Sequence, residues 1–145
     1  MDRLRPWLSF QGRLSRLGYW RRYLKLTIAG SIVWIVGLMA SIVVGGWAAV
    51  LFLPLAPLAV ANCAIVVTRL HDRNRSGWWG VPFFVLPFFL VGMAQTQQTA
   101  PHGPLVILFA VLVATALQIW GGFEVFLMGG ARDENRFGRL PAATR

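Results

Sequence analysis

The chain has 145 residues, of which 57% are hydrophobic and only 13% are charged. Soluble domains carry about 25% charged residues, so this composition excludes an ordinary water-covered globule and favours lipid as the main solvent. The net charge of +9 could indicate a nucleic-acid partner, but the basic residues form clusters that abut apolar blocks. Such clusters are typical of membrane flanks, and we expect no nucleic-acid binding.

The basic N-terminal arm, residues 1–25, precedes an apolar stretch that is too long for the hydrophobic region of a signal peptide. We interpret it as a retained membrane anchor. Ser15 is a candidate N-cap for a helix that continues into the membrane. Arg13 and Arg16 are expected at the headgroup level beside Trp20. The alternative is that these arginines serve only topology and anchoring.

Residues 26–68 are almost uninterrupted apolar sequence. One straight helix of this length would rise about 65 Å, twice the thickness of a bilayer core, so the chain must turn back. The two glycines at 45 and 46 favour the turn there, with Trp47 at the membrane interface. We predict helices over 26–44 and 48–68, and we expect Pro54 and Pro57 to bend the second.

Two further apolar blocks predict helices over 79–94 and 105–128. All fourteen Lys and Arg residues lie in the N-terminal arm, in the 69–78 loop or in the 129–145 tail. Four helices place these three segments on one side, which the positive-inside rule makes cytoplasmic. The sequence therefore predicts an all-α membrane protein with one domain over residues 1–145. That domain is a four-transmembrane-helix bundle with both termini and short interfacial segments in the cytoplasm.

The loop between the second and third helices, residues 68–79, contains a His-Asp pair. Neighbouring helical side chains point about 100° apart, so His71 and Asp72 are not expected to form a catalytic relay with each other. Asp72 is expected to cap the turn or to pair with an arginine. Trp78 and Trp79 suit the interfacial aromatic belt. In the tail, Asn135, Arg136 and Gly138 indicate a specific turn.

One acidic residue lies inside the predicted helices. A charge within a membrane helix is costly and is by default a functional hypothesis, but Glu124 lies only about 6 Å of rise from the end of its helix. We predict an ion pair with Arg69, which closes the second helix at a similar depth. The alternative is proton or cation handling.

Three ordered motifs, G-R-x-S-R…W, R-L-H-D-x-x-x-S-G-W-W and N-R-F-G, run through nearly the whole chain. In order and spacing they resemble the bacterial "domain of unknown function 805" family of small, YhaH-like inner-membrane proteins. The resemblance implies a four-helix membrane bundle and supplies no activity, catalytic residue or cofactor. Asn74 stands where that family frequently has Gly, and Asn tolerates the left-handed conformation better than most residues.

The candidate site follows from these motifs. The residues expected to bind headgroups or a partner are Arg13, Arg16, Trp20, Arg69, Arg75, Trp78 and Trp79. The residues expected to have a structural polar role are Ser15, His71, Asp72, Glu124, Asn135 and Arg136. The four arginines are predicted to gather around one phosphate-sized anion. No catalytic residue, cofactor or metal site is expected, and the single cysteine, Cys63, is expected to be a small buried hydrophobe.

Three functions remain open. The first is a non-enzymatic inner-membrane protein whose cytoplasmic rim binds anionic lipid headgroups or a protein partner. The second is a small transporter or channel subunit that acts as an oligomer, for which Asn62 and Gln118 are the polar candidates within the helices. The third is a lipid-modifying enzyme, which the chain's five acids and its lack of a nucleophile–base or metal constellation disfavour.

Overall fold

The computed structural model describes residues 5–139, and the side chains of all of these except residues 5, 6, 47 and 48. The described part is helical and contains no β-strand. Its α-helices are Arg5–Leu8, Arg16–Val44, Leu55–Asp72, Leu86–Gln95 and Gly103–Gly122. The segments Gly45–Phe52 and Gly77–Trp79 are 3₁₀-helical, and Val81–Val85 and Phe123–Leu127 are π-helical.

Four stretches are long and apolar enough to cross a membrane: Arg16–Val44, Ala49–Asp72, Gly77–Gln95 and Gly103–Leu127. They are called here the first to fourth spans. The predicted fold class, an all-α membrane protein with four transmembrane helices, is confirmed. The end of the bundle that carries residues 7–15, 73–76 and 128–139 is called the basic end. The opposite end carries the two uncharged connections.

The first span begins ten residues earlier than predicted. Ser15 adopts an extended conformation, with φ −62° and ψ 158°, and its hydroxyl oxygen accepts a hydrogen bond from the Gly18 N–H at 3.2 Å. The predicted N-cap is therefore confirmed, and the helix starts at Arg16. Hydropathy places the start too late because the basic residues that follow Ser15 are good helix formers although they are not apolar.

The turn after the first span lies where two glycines were expected to permit it. Gly45 has φ +61° and its N–H donates to the Ser41 carbonyl. The eight residues Gly45–Phe52 are 3₁₀-helical, so the second α-helix begins at Leu55 and not at residue 48. Pro54 and Pro57 lie at the start of this helix, where a missing N–H costs no hydrogen bond. The expectation that these two prolines bend the second helix stays a prediction. The side chain of Trp47 lies outside the described residues.

The third span changes helix type along its length. Pro87 has no N–H to donate to the carbonyl four residues back, and the π-helical segment Val81–Val85 precedes it. Phe83 in this segment is fully buried against Gly121 of the fourth span. A Cβ on Gly121 would lie 2.5 Å from the Phe83 Cβ. These two spans therefore approach closely because Gly121 has no side chain.

The spans pack as two hairpins, the first span against the second and the third against the fourth. The hairpins meet at the basic end, where the Gly77–Trp79 and Phe123–Leu127 segments pack on the first two spans. The buried core is concentrated there and includes Tyr19, Ile65, Leu70, Phe83 and Val125. Most large apolar side chains elsewhere face outward, as expected for helices covered by lipid.

Candidate functional site

Five consecutive backbone carbonyls, those of residues 125–129 at and just after the end of the fourth span, accept hydrogen bonds from side chains of other segments. The last carbonyls of any helix lack partners within it and need donors from elsewhere. Here the donors to residues 125–129 come from the first span and from the end of the second. The carbonyls of Val125, Phe126, Leu127, Met128 and Gly129 accept from Arg69, Trp20, Arg16, Arg69 and Arg73, respectively.

Arg69 lies at the centre of this arrangement, with 0% of its surface exposed. Its Nε donates to the Val125 carbonyl at 3.1 Å, and a terminal nitrogen donates to the Met128 carbonyl. The other terminal nitrogen lies 2.5 Å from the Asp72 carboxylate and also contacts the Leu14 carbonyl. Arg69 therefore joins the N-terminal arm, the second span and the end of the fourth span.

Asp72 is shared by two arginines. Arg13 lies 3.0 Å from one carboxylate oxygen, and Arg69 binds the other. The prediction that Asp72 pairs with an arginine is confirmed. The remaining donors of Arg13 bind the Ala131, Asp133 and Gly138 carbonyls, so this side chain, 1% exposed, holds the tail against the bundle.

Glu124 lies in the π-helical segment, is 4% exposed and is paired, but its partner was predicted wrongly. Arg73 approaches one carboxylate oxygen at 3.2 Å and Arg75 the other at 2.9 Å, whereas Arg69 binds Asp72. The second helix continues to Asp72, which places Arg69 within it, directed at the carbonyls. Two acids and four arginines thus form two triads, Arg13–Asp72–Arg69 and Arg73–Glu124–Arg75. Both bind carbonyls at the end of the fourth span, and together they are called here the basic-end network. Its residues are Arg13, Arg69, Asp72, Arg73, Arg75 and Glu124.

The tail adds a compact turn to the network. The Asn135 side chain donates to the His71 carbonyl at 2.9 Å and accepts from the Phe137 N–H. The Phe137 ring stacks on the His71 ring with a centroid separation of 3.8 Å, and the Arg136 guanidinium lies 4.7 Å from the same phenyl ring. The prediction of a specific turn at Asn135, Arg136 and Gly138 is confirmed.

Asn74 adopts φ +57°, in the left-handed region that Asn tolerates better than most residues. The Asn74 carbonyl accepts from Arg136 at 3.2 Å. The loop and the tail therefore hold each other through backbone groups as well as side chains.

The aromatic residues at the basic end divide into two groups. Trp20 packs with Tyr23 and Phe126, which both also contact Tyr19, beside the fourth-span carbonyls. Trp78 is 80% exposed and suits the interfacial position predicted for it. Trp79 contacts Phe83 and Trp120, and the Arg75 guanidinium lies 4.8 Å from the Trp79 ring.

The predicted gathering of four arginines around one phosphate-sized anion is wrong. Arg13 and Arg69 converge, but on Asp72, and Arg75 binds Glu124 instead. Arg16 is exposed and donates to the Leu127 carbonyl. These guanidinium groups bind protein acceptors because the helix end and the two carboxylates present oxygens within their reach.

The remaining polar residues of the spans lie apart. Asn62 donates to the Leu58 carbonyl of its own helix, and Gln118 is exposed on the fourth span. Cys63 is exposed, so the expectation that it is buried is wrong. Within residues 5–139, no three His, Cys, Asp or Glu side chains lie close enough to hold a metal ion.

The family model described as "Protein of unknown function (DUF805)" matches residues 7–139, which include all three motifs and the whole basic-end network. The chain belongs to this family. It is 35% identical over 85 residues to the protein named Inner membrane protein YhaI of Escherichia coli strain K12, over 59% of this chain and 69% of that protein. The protein of the same name from Escherichia coli O157:H7 matches equally. No solved structure matches the chain.

The three motifs of this DUF805 protein meet at the basic end. Arg13 and Asp72 belong to the basic-end network, and the Asn135 turn packs on His71. Sequence reasoning missed Arg73, which joins Glu124 to the Gly129 carbonyl. It also missed the role of Trp20 as a donor to the Phe126 carbonyl. The available signal was the end of the fourth helix, whose orphan carbonyls require donors that the apolar blocks cannot supply.

Proposed function

We propose that this DUF805 protein is a non-enzymatic, multi-pass bacterial inner-membrane protein whose basic end faces the cytoplasm and binds anionic phospholipid headgroups. Its relative is named as an inner membrane protein, and the four apolar spans suit the same location. The positive-inside rule supports the orientation, because all fourteen Lys and Arg residues lie in the N-terminal arm, the 69–78 loop or the 129–145 tail.

The observation that carries the proposal is a pair of cations outside the basic-end network. Arg21 and Lys25 are exposed and, among the described residues, have no polar partner. They lie four residues apart, and therefore on one face of the first span. The apolar part of that span, residues 26–44, rises about 28 Å, which matches a bilayer core of about 30 Å. Both cations thus fall in the headgroup layer at one end of the core.

The surroundings of this pair suit a lipid surface. Leu17 and Leu24 are 53% and 58% exposed, and Trp20, 43% exposed, lies between them on the chain. Tryptophan prefers the depth at which headgroups meet acyl chains. Juxtamembrane Lys and Arg residues attract anionic lipids, whereas the guanidinium groups of Arg13 and Arg69 are already bound by protein acceptors. The alternative ligand for the pair is an acidic segment of a membrane-protein partner.

The test measures lipid preference. Full-length protein in vesicles of mixed phosphatidylglycerol and phosphatidylcholine is extracted in mild detergent, and the retained lipid is identified by native mass spectrometry. We expect the preference for phosphatidylglycerol over phosphatidylcholine to be roughly tenfold weaker in the Arg21→Gln/Lys25→Gln variant than in wild type. Added salt should weaken the wild-type preference, because exposed charges are screened.

The matched control is Arg132→Gln/Arg139→Gln, which removes the same charge from exposed positions in the tail. This variant should keep the lipid preference of the wild type. Equal loss in both variants would mean that net charge alone attracts the lipid. An unchanged preference in the Arg21/Lys25 variant would refute the headgroup site and leave a protein partner as the alternative.

A further inference from the structure

A cleft of about 430 Å³ opens sideways between the spans near the basic end. The second span forms its floor through Cys63 and Val66, with Tyr23 of the first span and Phe84 of the third on either side. Almost all of its lining is apolar. Phe126 of the fourth span closes it beside the aromatic cluster.

Two glycines create the cleft. A Cβ on Gly77 would lie 2.8 Å from the Val67 Cγ1, so the third span touches the second closely at this point. A Cβ on Gly80 would lie 3.9 Å from both Leu70 and Val66, an ordinary contact distance. The third span therefore leaves the second after Gly77, and the missing side chain at Gly80 keeps the space between them open.

The depth of the cleft restricts what can occupy it. On the third span its lining runs from Gly77 to Val85, which corresponds to about 12 Å of rise. A bilayer core is about 30 Å thick, so the cleft lies within one leaflet. A transmembrane helix of a second copy would need a groove through both leaflets. A lipid chain whose headgroup lies at the basic end needs a groove through only one.

We propose that this cleft binds one acyl chain of a phospholipid in the leaflet at the basic end. The methylenes of the acyl chain pack against apolar walls that would otherwise have no van der Waals partners. The site is independent of headgroup charge, because the lining contains no charged residue. It therefore goes beyond the headgroup binding proposed for Arg21 and Lys25, which face away from Tyr19 and Tyr23 on the same helix.

The experiment fills the cleft with a side chain. Cys63 is exposed at the cleft floor, and Val85, 45% exposed, lies at its deep end. Full-length wild type, Cys63→Phe and Val85→Trp are extracted from vesicles of phosphatidylcholine alone or phosphatidylglycerol alone, and retained phospholipid is counted by native mass spectrometry. Val60→Phe is the matched control, since Val60 is 46% exposed on the same span as Cys63 but outside the cleft.

We expect wild type and Val60→Phe to retain one phospholipid of either kind. Cys63→Phe and Val85→Trp should each retain several-fold less, because the larger ring occupies space that the acyl chain would fill. Unchanged melting temperatures show that the variants are folded. Equal retention in all four proteins would overturn the proposal, and so would a second copy of the chain that Cys63→Phe releases. Loss of both lipids in Cys63→Phe upholds the cleft even if Arg21 and Lys25 prove indifferent to headgroup charge.

Discussion

At the scale of single residues, burial separates the charges that hold the protein together from those that can meet a ligand. Arg69 and the side chain of Arg13 are almost fully buried, and each makes several bonds to carbonyl oxygens in addition to its ion pair. Removing one residue of such a buried ion pair leaves the other charge uncompensated and lowers the free energy of unfolding by about 3–5 kcal/mol. Arg21 and Lys25 have no ion pair among the described residues, so replacing either of them leaves no partner charge uncompensated.

Glu124 provides the sharpest test of the basic-end network. We expect Glu124→Gln to destabilise the protein and to couple with Arg73→Gln and Arg75→Gln in double-mutant cycles, because the carboxylate bridges these two arginines. Coupling of about 0.5–3 kcal/mol is typical of groups in one network. Thermal melting in mild detergent measures it. A larger coupling of Glu124 with Arg69 than with Arg73 would contradict the observed pairing.

Local chemistry could be predicted from the sequence at several of these residues. The cap at Ser15, the pairing of Asp72 and the left-handed Asn74 each depend on a few neighbours, and all three are confirmed. The partner of Glu124 could not be predicted, because Arg69 and Arg73 lie one turn apart on the same helix face. Which of these two arginines meets Glu124 depends on the depth at which the fourth span ends, and no sequence pattern reports that depth.

At the scale of elements, one of the contacts between the tail and the second span is a close approach at Gly130. A Cβ on Gly130 would lie 1.9 Å from an Asp72 carboxylate oxygen, and the Ala131 N–H donates to the Asp72 carbonyl at 2.8 Å. We expect Gly130→Ala to displace the tail, to destabilise the protein by about 1–3 kcal/mol and to speed proteolysis of residues 131–139.

Gly129→Ala is the control for this substitution. A Cβ at Gly129 would have no atom within 4 Å, and its φ lies outside the left-handed region. The control should melt and resist proteolysis like wild type. If the two variants behave alike, the contact of the tail with Asp72 does not hold the tail in place.

The four spans were predictable as elements, but their ends were not. Long apolar blocks determine that a span exists, whereas its ends depend on caps and on changes of helix type. The helix of the first span begins directly after Ser15, because the Ser15 hydroxyl caps it. The α-helix of the second span begins after a 3₁₀ segment that hydropathy does not distinguish from α-helix. The π-helical end of the fourth span places Glu124 and its last carbonyls against the arginines, and an apolar block carries no signal for it.

At the scale of the whole molecule, the two hairpins hold each other mainly at the basic end. Their other halves carry broad apolar faces, including Ile42 and Val43 of the first span, 78% and 86% exposed. The strongest polar contacts and the buried core thus occupy the same end. We infer that the basic end sets the arrangement of the spans, and that lipid covers the remainder.

The orientation of the whole molecule stays a prediction, which single cysteines can test. In a Cys63→Ala background, we expect a membrane-impermeant maleimide to label Gly46→Cys and Gln98→Cys on intact spheroplasts, because these exposed positions lie in the uncharged connections. Arg132→Cys and Arg139→Cys, exposed at the basic end, should react only after the membrane is opened. The physical reason is that cationic segments remain on the cytoplasmic side. Labelling of Arg132→Cys before opening would reverse the orientation. Protection of Gln98→Cys would mean that the third span does not cross the membrane, and it would contradict the four-span topology.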